Sequence, residues 1–224
     1  MQIFVLLLIC ALIIAGIVFG NMLAKRRREA LAALATRLGL SFDEEDDYAL
    51  AERLEFLRAI DQGSNRYAYN RLSGVCQGYE VAAFDYHYET YSHSSKGGRQ
   101  THHHHLSILT LQLPRSFPEL LVSPEGIFSK IAQAFGYDDI DFESAEFSRA
   151  FCVRSRDKKF AYDVCHPQMM EYLLAHRDLV IEIEEDVLAL TFNSCLDATE
   201  IESRLQQMVD LRRLLPDYLL AETR

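Results

Sequence analysis

The stretches YEVAAFDYHYETY, residues 79–91, and HHHHLSILTLQL, residues 102–113, decide the fold of this chain. The first is rich in aromatic and β-branched residues, and Ser, Gly and Lys residues lie between the two stretches. This composition is typical of β-strands joined by a loop. With the preceding RYAYNRL, residues 66–72, the two stretches predict a three-stranded antiparallel meander, whose third strand is closed by Pro114 and Pro118.

Patterns typical of helices flank the meander. Apolar residues spaced three or four apart predict a stalk helix over residues 29–38, ending at Gly39, and a second helix over residues 50–60 after a run of acids. Downstream of the meander we expect a helix that begins at Ser123-Pro124, a half-exposed strand at 137–143 and a strand at 147–155. A helix at 167–175 and a hairpin of strands 179–184 and 187–192 are expected next. A closing helix should run from Asp197 to before Pro216. This mixture of helices and antiparallel strands predicts the α+β class.

The first 24 residues contain no charged side chain. Ile3–Ala24, IFVLLLICALIIAGIVFGNMLA, is long enough for a helix to cross a hydrocarbon core of about 30 Å, which predicts a transmembrane anchor over residues 1–24. Four cations, Lys25, Arg26, Arg27 and Arg28, follow directly. Because basic residues stay on the cytoplasmic side, we expect the N-terminus outside and the remainder in the cytoplasm.

The chain beyond the predicted anchor has two predicted parts. Residues 25–62 hold the basic flank, the stalk helix and the second helix, and residues 63–224 form the predicted α+β cytoplasmic domain. The flank Lys25–Arg28 is expected to contact anionic lipid headgroups. Gly16 and Gly20 have the four-residue spacing of closely packed membrane helices, which predicts a weak homo-oligomer.

The charge balance excludes one class of function. The chain has 224 residues with 23 basic and 33 acidic side chains, a formal net charge of −10. Four of the cations lie in the flank, which leaves 19 against 33 acids beyond it. Nucleic-acid binding through a basic surface is therefore not expected. Cys76, Cys152, Cys165 and Cys195 form no C-x-x-C pair, which favours buried thiols over disulfides in a cytosolic domain.

Six of the eight histidines fall between His87 and His105. In a strand, a run of four alternates, so His102 and His104 share one face, and His103 and His105 share the other. Completed by His87 or Glu89 from the paired strand, such a face could bind Zn²⁺, Ni²⁺ or Cu²⁺. The competing interpretation is an aromatic hairpin in which imidazoles stack on tyrosines. A pH-sensing role is a third.

The sequence contains no recognisable catalytic motif. A phosphate-binding glycine loop, a nucleophile elbow and an H-E-x-x-H pair are all absent from it, and no carboxylate spacing singles out an acid/base pair. We therefore assign no catalytic residue and lean against an enzyme. The leading hypothesis is a membrane-anchored interaction or scaffold module with a protein partner, and the alternative is a metal-binding protein that uses the histidine-rich hairpin.

Four segments carry a resemblance to a known group of proteins: Arg37–Phe42, Gly74–Tyr88, Glu146–Ala161 and Pro167–Leu174. In this order, after an apolar leader and a basic flank, they resemble bacterial membrane-anchored proteins of unknown function. The resemblance implies a bacterial inner-membrane location with an N-terminal transmembrane helix and a cytoplasmic domain. It implies no catalytic residue and no cofactor.

Overall fold

The computed structural model describes residues 2–93, 98–126 and 139–221, and it describes side chains within these ranges except at residues 2, 3, 6–8, 10 and 93. The helices are α1 (Gln2–Leu38), α2 (Tyr48–Arg53), α3 (Ala145–Ala150), α4 (Lys158–Val164), α5 (Pro167–Ala175), α6 (Ala198–Leu214) and α7 (Asp217–Leu220). The strands are β1 (Ser41–Asp43), β2 (Ser64–Cys76), β3 (Tyr79–His93), β4 (Arg99–Pro124), β5 (Phe151–Ser155) and β6 (Val180–Phe192). The α+β class is therefore confirmed.

The strands form one antiparallel sheet. Its order is β1-β2-β3-β4-β5, and β6 also pairs with β4. The predicted meander is confirmed as β2, β3 and β4. Gln77 and Gly78 join β2 to β3 with positive φ angles of 52° and 89°, as a tight two-residue hairpin turn requires.

Strand β4 continues through the two prolines that were predicted to close it. Its pairing with β6 jumps from Gln112–Val187 to Phe117–Glu185, so four residues of β4 bulge opposite one residue of β6. Proline has no N–H to donate and is tolerated where a bulge interrupts the ladder. Pro114 and Pro118 lie at these register shifts, and the strand therefore bends without ending.

The predicted hairpin at residues 179–192 is also wrong. Both halves belong to the single strand β6, and both pair with β4. Glu185 has a φ of +49° and lies opposite the β4 bulge. The polar pair Glu185-Asp186 is therefore an irregularity within one strand, facing the irregularity in its neighbour.

Several predicted helix and strand boundaries differ from the structure. The second helix ends at Arg53; the following Leu54, Leu57 and Ile60 are buried by successive turns, which repeat at nearly the helical spacing. The strand predicted from residue 147 begins only at Phe151, because Ser144 caps the short helix α3 before it. Helix α4, capped by Asp157, was not predicted.

The helix predicted to begin at Ser123-Pro124 does not begin there. Ser123 pairs with Cys152, and Pro124 pairs with Phe151, so both belong to the end of β4. Residues 127–136 of that predicted helix lie outside the described residues. Of the strand predicted at 137–143, residues 137 and 138 lie outside them too, and residues 139–143 have no regular secondary structure.

Each face of the sheet carries its own apolar core. On one face, Leu72, Val81 and Leu109 pack against helices, including the second half of α1 through Leu31 and Leu34. A second group on that face comes from α4–α6: Phe160, Leu173 and Leu205. The other face buries Phe84, Tyr86 and Ile108 beneath residues 50–60. Burial of each such side chain contributes about 1.5–3 kcal/mol.

The two halves of α1 have different surroundings. Every described side chain from Phe4 to Arg26 is exposed, whereas Leu31, Leu34 and Ala35 are buried in the domain. Gly39, with a φ of +70°, ends the helix as predicted. A search of the described residues finds no helix that is both long enough and apolar enough to cross a membrane.

Candidate functional site

The histidine run lies on β4 and alternates between the two faces, as predicted. His105 is opposite His87 of β3, and His103 is opposite Glu89, so these four side chains share the face that α1 covers further along β3. His102 and His104 lie opposite Thr90 and Tyr88 and point to the other face. The pairing register therefore decides which predicted ligands can meet.

Three side chains converge on the α1 face: His87, Glu89 and His103. His87 Nε2 lies 3.1 Å from His103 Nδ1, and His103 Nδ1 lies 3.6 Å from Glu89 Oε1. One ligand atom from each of the three residues lies within 4.8 Å of the other two. His87 is buried, whereas the His103 side chain is 59% exposed. We call these three residues the His–Glu cluster.

Asn65 supports two members of the His–Glu cluster. Its backbone carbonyl accepts a hydrogen bond from His87 Nδ1 over 3.0 Å, and its side-chain amide donates to Glu89 Oε1 over 2.8 Å. Asn65 has a φ of +50° next to a register shift in β2, and asparagine tolerates this left-handed conformation. The hydrogen bonds from Asn65 and from the Tyr91 hydroxyl lower the pKa of Glu89.

The remaining histidines of the run bond to other neighbours. His105 Nδ1 lies 2.9 Å from the Tyr69 hydroxyl, and burial, then the charges of His87 and His103, lower the pKa of His105. His104 stacks on Tyr88 with ring centroids 4.6 Å apart, as the competing interpretation expects. His102 Nε2 lies 2.8 Å from Ser92 Oγ. Of the five predicted histidine ligands, the structure therefore brings together His87 and His103.

The four cations after the apolar leader have different surroundings. Lys25 lies 3.8 Å from Glu29, Arg28 lies 3.4 Å from Glu44, and Arg26 is exposed. Arg27 instead turns into the domain and donates two hydrogen bonds to Asp85, from Nε over 2.9 Å and from Nη2 over 2.7 Å. A headgroup contact is therefore open to Lys25, Arg26 and Arg28, whereas Arg27 holds α1 to the sheet.

Asp85 is the centre of a buried polar network. Besides Arg27, it accepts hydrogen bonds from Asn70 and from Ser107, each over 2.9 Å, and the Ser107 hydroxyl oxygen accepts one from the Leu196 backbone N–H. Burial acts to lower the pKa of Arg27, but its hydrogen bond to Asp85 and the charge of Asp85 raise it overall. The sequence carries one signal for this site, since Asp85 continues the alternation of the inward-facing Val81 and Ala83.

A group of three carboxylates lies on the opposite face of the sheet: Glu119 and Glu182, which are buried, and Glu184, which is half-buried. Glu182 accepts hydrogen bonds from the backbone N–H groups of Arg58, over 2.6 Å, and Ala59, over 3.4 Å. Burial raises the pKa of Glu182 to about 8 and that of Glu184 to about 7. Arg58 Nε lies 2.8 Å from Glu119 Oε1.

The fold has a counterpart among solved structures. The crystal structure of the mycobacterial trehalose monomycolate transport factor A, TtfA, matches this chain with a TM-score of 0.59, over 86% of this chain and 96% of that chain. The two sequences are 15% identical, so the similarity concerns the fold alone. No family model matches the chain, and no curated protein matches its sequence.

Proposed function

We propose that this chain is a single-pass protein of the bacterial inner membrane, whose cytoplasmic α+β domain is a non-enzymatic interaction module for a protein partner. The observation that carries the proposal is the division of α1. One continuous helix has a first half whose described apolar side chains are exposed and a second half that is built into the core.

The first half of α1 has the chemistry of an anchor. Leu12 is 65% exposed, and Ile17 and Phe19 are also exposed, with no described part of the domain packed against them. Exposed apolar surface costs about 25 cal/mol per Å² in water, and a hydrocarbon environment removes that cost. Residues 3–24 carry no charged side chain, so nothing in this half of α1 opposes its transfer to hydrocarbon by charge.

The second half of α1 suits a domain that presents a fixed surface. Leu31 and Leu34 are buried against the sheet, and Arg27 clamps the helix to Asp85 by two hydrogen bonds. An anchor that continues as one helix into the core holds the domain at a defined angle, whereas a flexible linker would let it rotate freely. Such rigidity favours a scaffold that orients a partner at the membrane.

The similarity in fold supports the choice of partner. TtfA is named as a transport factor, and its crystal structure matches most of this chain. We therefore propose a membrane transport protein as the partner. A chain that turned over a substrate by itself would contradict the non-enzymatic half of this proposal.

The anchor and its orientation can be tested with two engineered thiols. In spheroplasts, a membrane-impermeant maleimide should label a Gln2→Cys variant from outside. It should label a Glu45→Cys variant, at an exposed position beyond the flank, only after the membrane is opened. The reverse labelling pattern would overturn the orientation. Release of the chain from membranes by alkaline carbonate would overturn the anchor itself.

The interaction half needs a separate measurement. Chemical cross-linking of native membranes, followed by mass spectrometry, should identify a transport protein linked to reproducible positions of the domain. In the same chain, Asp85→Leu, which leaves the leader unchanged but destabilises the domain, should lower the yield of that cross-link, and Arg27→Met/Asp85→Leu, which restores the stability, should restore the yield. Cross-links to the chain itself alone would contradict the proposal.

A further inference from the structure

We propose that the His–Glu cluster is a binding site for one Zn²⁺ ion, with His87 Nε2, His103 Nδ1 and a carboxylate oxygen of Glu89 as its ligands. This site is independent of the proposed membrane anchor. It differs from the site expected from the histidine run alone, because three of the four consecutive histidines are not among its ligands.

The separations within the His–Glu cluster fit a tetrahedral ion. Zinc–nitrogen bonds of about 2.0–2.1 Å at tetrahedral angles separate two ligand atoms by about 3.3 Å. The distances of 3.1 Å between the two imidazole nitrogens and 3.6 Å between His103 and Glu89 lie on either side of that value. Two of the three separations therefore suit a tetrahedral ion, and the third, between His87 and Glu89, is no more than 4.8 Å.

The surroundings of the cluster orient two of the ligands. A carbonyl can only accept, so the contact with Asn65 O places the His87 proton on Nδ1 and leaves a lone pair on Nε2, which faces His103. The Asn65 amide and the Tyr91 hydroxyl fix the two oxygens of Glu89. Metal-binding imidazoles and carboxylates are typically held by such outer hydrogen bonds.

The donor set also indicates the type of site. Two imidazoles and one carboxylate match zinc sites that hold a water molecule or a substrate in the fourth position. The exposed His103 lies on the solvent side of the cluster, which gives the ion a path of entry. No ligand atom of His105 belongs to the group of three that lie within 4.8 Å of one another, so we do not expect His105 to supply the fourth ligand.

A second group of donors among the described residues is less suitable. Glu125, Asp139 and Cys152 also lie close together, but an Asp139 oxygen accepts the Val153 N–H over 2.7 Å. The Cys152 sulfur accepts from Arg154 Nε over 3.3 Å, and a guanidinium next to it would repel a cation. Burial raises the pKa of this thiol, which disfavours the thiolate form that binds metal.

The test uses the full chain, purified in detergent without a histidine tag. After removal of bound metal, isothermal titration with Zn²⁺ should give one site per chain, and a Co²⁺ titration should give the visible absorption of a tetrahedral ion. His103→Ala removes an exposed ligand without opening the core, and we expect the Zn²⁺ affinity to fall at least about tenfold. Asn65→Gly, which tolerates the positive φ and keeps the backbone carbonyl but removes the amide that supports Glu89, should weaken binding by about 10–100-fold.

The matched control is the double substitution His102→Ala/His104→Ala. It removes two imidazoles, one more than His103→Ala, from the opposite face of the same strand, and it should leave the Zn²⁺ affinity unchanged. Unchanged affinity in the His103→Ala variant, or a loss in the control equal to that in His103→Ala, would overturn the assignment. Absence of a one-to-one site in the unmodified chain would overturn the proposal as a whole.

Discussion

A single buried carboxylate on one face of the sheet and a group of three carboxylates on the other show opposite solutions to the same problem. Asp85 accepts four hydrogen bonds, two of them from the guanidinium of Arg27. Glu182, on the other face, accepts only two backbone N–H groups and has two further glutamates near it. A buried charge is stable only if it is paired and hydrogen-bonded; Asp85 has such partners, whereas burial favours the neutral acid at Glu182 and raises its pKa.

Individual oxygen atoms show the same difference. Within the described residues, Oε2 of Glu119 and Oε2 of Glu184 are buried without a hydrogen bond, although Arg156 Nε lies 3.4 Å from the former. No Asp85 oxygen is in this condition, since each accepts two hydrogen bonds. Both oxygens of Asp85 are therefore fully hydrogen-bonded, whereas the protonation of Glu182 and Glu184 on the other face depends on pH.

The largest expected effect is at Asp85. Asp85→Leu leaves the largely buried Arg27 without its anion, and we expect the free energy of unfolding to fall by about 3–5 kcal/mol. The double variant Arg27→Met/Asp85→Leu replaces the pair by apolar side chains and should recover most of that loss. Urea unfolding of the full chain in detergent, followed by circular dichroism, measures both. A single-variant cost below about 1 kcal/mol would mean that Arg27 reaches solvent when its partner is removed.

The second prediction concerns Glu182 and its dependence on pH. The pKa of Glu182 in the folded chain, about 8, lies above the ordinary glutamate value of about 4.3. Between these values the folded state keeps a proton that the unfolded state releases, so the free energy of unfolding falls as the pH rises. Glu182→Gln cannot titrate and should remove a slope of up to about 1.4 kcal/mol per pH unit.

The control for this prediction is Glu171→Gln, at an exposed position on α5. Both variants and the unmodified chain are compared by urea unfolding at several pH values from about 4.5 to 8. The Glu171→Gln curve should follow that of the unmodified chain, and the Glu182→Gln curve should be flatter. Parallel curves for all three chains would show that Glu182 is ionised in the folded state.

A smaller loss is expected from the neutral donors around Asp85. Ser107→Ala removes one of the four hydrogen bonds to Asp85 and also leaves the Leu196 N–H without its acceptor. An unsatisfied buried polar group costs about 1–3 kcal/mol, and we expect a decrease of that size in the free energy of unfolding. Ser203→Ala, in an exposed part of α6, is the control, and a loss of equal size there would argue against the network.

Much of the fold could be predicted because its causes are local. The alternating pattern of β3, the stop at Gly39 and the start of α6 at Asp197 each depend on residues within one or two turns. The bulge at Pro114 and the irregularity at Glu185 depend on a partner strand about 70 residues away. Considered without that partner, the proline predicts the end of a strand, and the polar pair predicts a hairpin turn. The pairing of β4 with β6 explains both features, because the two irregularities lie opposite each other in the sheet.

The same reasoning applies to the candidate site. The alternation of His102 to His105 follows from the period of a strand and was predictable. The choice of His103 and Glu89 follows from the β3–β4 register, which the sequence leaves open. The bond between Arg27 and Asp85 spans 58 residues, and a basic residue after an apolar leader is first interpreted as a headgroup contact. The partner that such a side chain contacts can be identified only from the folded structure.

The smallest expected effect is at the exposed ion pair of Arg37 and Glu202, where a short distance does not imply a large contribution to stability. Arg37 Nη1 lies 2.6 Å from Glu202 Oε2, closer than either contact of Arg27 with Asp85, but the two side chains are 58% and 45% exposed. Water solvates both charges in the folded chain as well as in the unfolded one, so the pair should contribute less than about 1 kcal/mol to stability. We expect Arg37→Ala to lower the free energy of unfolding by no more than this, and added salt should reduce the difference further. A loss as large as that of Asp85→Leu would show that the contact between α1 and α6, and not the buried clamp, fixes the helix to the domain.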